Sequence, residues 1–73
     1  MAETSRIQWR LEELTLAGVR NLEPNTAILP MGATEPHNLH LPYGTDSVEA
    51  WHLANECCRA AIQQGARVVQ LPV

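Results

Sequence analysis

Between residues 35 and 46 the chain carries Glu35, His37, His40 and Asp46, two carboxylates and two imidazoles in a stretch short enough to converge. In extended backbone, side chains two positions apart project to the same side, so Glu35 and His37 can reach one point. Pro42 and Gly44 let the chain turn before Asp46, which opens a predicted helix whose positive dipole end favours the ionised carboxylate. A carboxylate, an imidazole and a second carboxylate form a ligand set for Zn²⁺, Mn²⁺ or Fe²⁺, with His40 a further candidate. The same residues also allow a mononuclear iron site in which His37, His40 and a carboxylate form a facial triad. Each has a plainer reading as well. Aspartate is among the best N-caps, loop histidines commonly make surface hydrogen bonds, and a lone glutamate is solvated. No catalytic residue beyond these ligand candidates is assigned.

The elements that must position these residues follow from periodicity and breakers. Leu11, Leu14, Leu16, Val19 and Leu22 predict a short N-terminal helix, with Thr15 a potential cap. Glu23-Pro24-Asn25 is a turn signal. Thr26 to Met31 then reads as a strand stopped by Pro30 and Gly32. Residues 33 to 45 show no sustained period and read as an ordered loop. Asp46 with Glu49 has the sense of a capping box. Beyond it Val48, Trp51, Ala54, Cys58, Ala61 and Ile62 recur at three and four, predicting a helix over Ser47 to Gln64. Gly65 stands where a left-handed C-terminal residue belongs, and Ala66 to Val73 reads as a second strand.

Strand, crossover helix and strand predict an α/β fold, the βαβ start of a layered, largely parallel sheet. Parallel sheets are normally covered on both faces. The reading is therefore that residues 1–73 are the N-terminal part of a single larger domain, with Trp51, Val68, Val69 and Leu71 awaiting a facing layer.

Composition narrows the chemistry. Of the five Lys and Arg residues all are arginine, scattered along a 73-residue chain of net charge −3. A nucleic-acid footprint needs a basic patch, so no nucleic-acid partner is expected. With no lysine, this segment holds neither a Walker-type phosphate loop nor a Schiff-base nucleophile. No apolar run approaches a membrane span, and the charged first twenty residues lack a signal-peptide pattern. Cys57 and Cys58, adjacent on a helix, point about 100° apart and cannot pair with each other. A cytoplasmic setting is the expectation.

Read together, Leu29-Pro30-Met31-Gly32-Ala33-Thr34-Glu35-Pro36-His37-Asn38-Leu39-His40-Leu41-Pro42-Tyr43-Gly44-Thr45-Asp46 closely resembles the creatininase-family signature. That signature is Leu-Pro-x-Gly-[Ser/Ala]-x-Glu-Gln-His-Gly-Pro-His-Leu-Pro, then a spacer and Thr-Asp. The spacing matches without a gap, and the resemblance extends over about Leu11 to Val73. Pro36, Asn38 and Leu39 depart from the pattern at positions that are not ligands. Asparagine tolerates positive φ, so a turn at Asn38 can survive the loss of glycine.

The resemblance implies a metal-dependent amidohydrolase acting on a cyclic or linear amide C–N bond. Glu35 would bind one divalent ion, His37 the other, and Asp46 would bridge them, with His40 a polar neighbour of the site, either supporting the ligands from behind or on the substrate side. Further ligands would come from later residues, and the 73-residue chain alone would be inactive. Two ions roughly 3.5–4 Å apart lower the pKa of water toward about 7 and polarise a carbonyl. A small-molecule amide as substrate and a homo-oligomeric parent complete the expectation. The contrasting reading is a non-catalytic βαβ interaction module that retains a metal loop.

Overall fold

The computed structural model describes residues 8–73. A 3-10 turn at Leu11–Glu13 leads to helix α1, Leu16–Leu22. Strand β1, Thr26–Ile28, is followed by the long loop, helix α2 at Thr45–Gln63 and strand β2 at Val68–Gln70. The strands pair in parallel, with Thr26 opposite Val68 and Ile28 opposite Gln70. This is the expected βαβ arrangement of an α/β domain. An isolated parallel bridge joins Arg10 to Gln70, and Gln70 N–H donates to the Trp9 carbonyl at 2.7 Å. Residues Trp9 and Arg10 thus lie along the free side of β2.

Three boundaries differ from the sequence reading. The first helix starts only after Thr15, which caps it as the sequence suggested: its Oγ1 accepts from Gly18 N–H at 3.0 Å, and Leu14 before it is extended. Only the second half of the periodic segment is α-helical. Both strands are shorter than expected, three residues each. Pairing along β1 ends where Leu71 N–H meets the Ile28 carbonyl, just before Pro30, which has no N–H to continue a ladder. The third difference is the start of α2. Its N-cap is Gly44, with no side-chain cap bond, so Asp46 lies inside the first turn and the capping box with Glu49 does not form. Gly65 does take the left-handed conformation expected of it, at φ 90°.

The core sits between α2 and the sheet. Cys58, Ile62 and Val68 are its buried centre, with Trp9, Leu22, Ile28 and Ala61 packed against it. Burial of Cys58 pushes its thiol pKa up, with the neighbouring Cys57 adding to the effect, so it packs as a small apolar group. Val68 and Val69 are only 3% and 7% exposed, which corrects the expectation that both would lack cover. The Trp9–Arg10 segment supplies part of the missing layer. Trp9 Nε1 donates to Asn55 Oδ1 at 2.9 Å, and the Arg10 guanidinium lies 5.6 Å from the centroids of both Trp9 and Trp51. Gln70, fully buried, donates through Nε2 to the Trp51 carbonyl at 3.3 Å and so ties β2 to the helix. Val48 departs from the apolar face of α2 and is exposed, as is His52, the latter as expected. Among the described residues no helix is long and apolar enough to cross a membrane.

Candidate metal centre

The chain leaves β1 through the buried Pro30 and passes Gly32, which lies directly against the backbone of Ser47 in the first turn of α2. Residues 35 to 43 then double back on themselves. Glu35 N–H donates to the Tyr43 carbonyl at 3.1 Å, and His37 pairs with Leu41 in an isolated antiparallel bridge. The segment read from sequence as an ordered loop is therefore a small hairpin. Its turn depends on Asn38, which sits at φ 60° while its Oδ1 accepts from Leu39 N–H at 2.9 Å. Asparagine is one of the few non-glycine types that enter this region at low cost. Asn38→Gly should leave thermal stability nearly unchanged, whereas Asn38→Val should cost about 1–2 kcal/mol. Equal melting temperatures for the two variants would contradict this account of the turn.

After the hairpin the Pro42 carbonyl accepts both the Thr45 amide, at 3.2 Å, and the Thr45 hydroxyl, at 2.6 Å. These bonds turn the chain into α2 and bring Asp46 over the hairpin.

His37 is the centre of the arrangement. Its Nδ1 lies 2.8 Å from the Glu35 carbonyl and its Nε2 lies 2.9 Å from Asp46 Oδ1. A carbonyl only accepts, so Nδ1 carries a proton and Nε2 is the nitrogen left to face the carboxylate. In the neutral imidazole that would set a lone pair against an anion. A proton on Nε2, giving an imidazolium that donates to Asp46, satisfies the contact, and a metal ion could take that proton's place. In agreement, the pKa of His37 is raised above its ordinary value, first by the bond to the Glu35 carbonyl and then by the bond to Asp46.

One donor atom from each of Glu35, His37 and Asp46 lies within 4.8 Å of the others. Two donors bound to one ion at about 2.1 Å and near a right angle are about 3 Å apart. The separation of His37 and Asp46 already meets that requirement, while Glu35 is exposed and its donor lies within 4.8 Å of the other two. The oxygen and nitrogen donor set suits Zn²⁺, Mn²⁺ or Fe²⁺. The bond from Nδ1 to a backbone carbonyl is the usual way a ligating histidine is oriented. His40 is exposed on the hairpin turn and is not one of the three converging groups.

The sequence reading treated Gly32 only as a strand stop and missed its contact with the helix. The sole available signal was its place between a strand end and the first candidate ligand. The bond from Nδ1 to the Glu35 carbonyl was likewise missed, because it depends on how far the hairpin curls.

A family model described as creatinine amidohydrolase matches residues 12–73, a span that includes the hairpin, α2 and both strands. No curated protein matches the chain, and no solved structure does.

Proposed function

The chain belongs to the creatininase family, and from that premise we propose that the protein hydrolyses a cyclic or linear amide C–N bond, with Glu35, His37 and Asp46 as ligands of two divalent ions. The observation that carries this reading is His37 Nε2 and Asp46 Oδ1 facing each other at 2.9 Å, with the Glu35 carboxylate close by. Bound there, Zn²⁺, Mn²⁺ or Fe²⁺ would supply Lewis acidity and lower the pKa of water toward about 7. The chain's own residues do the rest. The Glu35 carbonyl holds the imidazole in one tautomer, the hairpin fixes the spacing of Glu35 and His37, and α2 presents Asp46 to both. His40, exposed on the turn and outside the three converging donors, is the residue this reading assigns to a polar role beside the ligands or toward substrate. A facial triad through His40 is not favoured, since His40 stands apart from the other donors.

In this reading residues 1–73 form the N-terminal part of a single creatininase-like domain. Its substrate is a small amide, its setting cytoplasmic and its assembly homo-oligomeric. Metal content of the protein compared with Glu35→Gln, His37→Ala and Asp46→Asn tests the ligand set. Full metal content in all three variants would overturn it. Metal retained by the unaltered protein without turnover of any amide would instead favour a binding module.

Proton competition provides a separate check. His37 must give up its Nε2 proton to accept an ion, and its pKa is raised, so affinity should fall by about tenfold per pH unit once the pH drops below that raised value. Above it the dependence should level off. Calorimetry with Zn²⁺ across this range gives the slope. A flat profile would mean that Nε2 is not a donor.

A further inference from the structure

Gly32 is the point where the two ligand-bearing segments touch. A Cβ built on it would lie 2.7 Å from both the Cα and the N of Ser47 and 2.8 Å from Ser47 Oγ, closer than such atoms approach in folded proteins. Two of these three atoms are backbone, so no rotamer change relieves the clash. Among the described residues the one glycine at positive φ is Gly65, so alanine could adopt the backbone of residue 32. Space alone demands glycine there. Gly44, at the other end of the same loop, has nothing within 4 Å of its corresponding point.

The position matters because of what flanks it. Glu35 and His37 follow Gly32 on one segment, and Asp46 immediately precedes Ser47 on the other. To reach ordinary carbon contact at about 3.5–4.0 Å, a side chain at residue 32 must drive these segments apart by about 1 Å. Ligand distances in metal sites tolerate only about 0.2 Å. The displacement is several times that tolerance. It also falls on the pair that faces at 2.9 Å, His37 and Asp46.

We propose that Gly32 is a positioning residue for the metal centre: its bare Cα lets α2 seat against the hairpin segment and sets the separation of His37 and Asp46. This inference rests on the proposed ligand roles, and the test keeps the two apart. Gly32→Ala, in the protein otherwise unchanged, is compared with Gly44→Ser, a substitution that enters open space and keeps a preferred N-cap type. Two quantities are measured, Zn²⁺ affinity by calorimetry and the separation of His37 and Asp46 in crystals of the metal-free variants.

Gly32→Ala is expected to fold, to lose at least about tenfold in Zn²⁺ affinity and to show the pair drawn apart. Gly44→Ser should stay within twofold of the original affinity with the pair intact. If Gly32→Ala does not fold, the same measurements are made on Gly32→Ala/Ser47→Gly, whose first helical turn can yield, and the same losses are expected. An alanine variant that keeps both the affinity and the pair separation overturns the proposal. If the unaltered protein binds no Zn²⁺, the ligand assignment fails, and the crystallographic separation still decides what Gly32 does.

Discussion

In the parent protein of which residues 1–73 are proposed to be the N-terminal part, Asp46→Asn is expected to lower metal affinity, and amide hydrolysis with it, by more than about a hundredfold, beyond the 10–100-fold that losing an outer-shell partner costs. Asp46 is the residue that faces His37 Nε2, and in the proposed site it serves both ions. Asparagine has the same shape but no charge, and its amide nitrogen can only donate. A neutral amide opposite Nε2 also removes the negative charge of Asp46, which is among the causes that raise the pKa of His37. The fold should be little affected. Gly44, and not Asp46, is the N-cap of α2, so the variant loses only a charge near the positive end of the helix dipole, about 0.3–1 kcal/mol. Metal content, turnover and thermal unfolding measured on one preparation separate the possibilities. Loss of metal with a near-normal melting temperature is the expected pattern. Normal metal content with a large drop in melting temperature would make Asp46 a structural residue.

A second result of comparable size concerns residues 1–73 expressed alone. With Zn²⁺ or Mn²⁺ added, this chain is expected to hydrolyse no amide above background and to associate or unfold without a sharp monomeric transition. Three converging donors can gather one ion, but a second would have too few protein ligands for the two-ion activation of water. The surface argues the same way. Leu29, Met31, Leu39, Leu41, Tyr43, Val48 and Leu53 are all exposed, Leu39 completely, and several of them surround the candidate site. Apolar surface of that extent is normally covered by further protein. Denaturation followed by spectroscopy, sedimentation to establish association state, and an amide-hydrolysis assay together test the expectation. Metal-dependent turnover from a cooperatively folding monomer would show that the residues in hand suffice.

Much of this was legible in the chain itself. Periodicity placed α2 to within two residues at its start, and the breakers around residues 30 and 65 separated it from two strands whose parallel pairing a single crossover helix dictates. The four chemically distinctive residues, Glu35, His37, His40 and Asp46, were visible as a cluster, and their register carried the family resemblance. Such features are local: helical spacing, a glycine at positive φ and an asparagine able to turn are properties of residues and their near neighbours.

The structure decided what depended on distant parts of the chain meeting. The Trp9–Arg10 segment lies beside Gln70 and Asn55, a packing that no local pattern encodes, and Trp9 joins the cluster that buries Val68, which the sequence left waiting for cover. The hairpin curls because Glu35 meets Tyr43 and His37 meets Leu41, which draws three donors together and leaves His40 outside. Gly32 could be seen as a breaker, but only the approach of α2 gave its missing side chain a purpose. Residue type limits which contacts a position can make, and the three-dimensional path of the backbone selects among them.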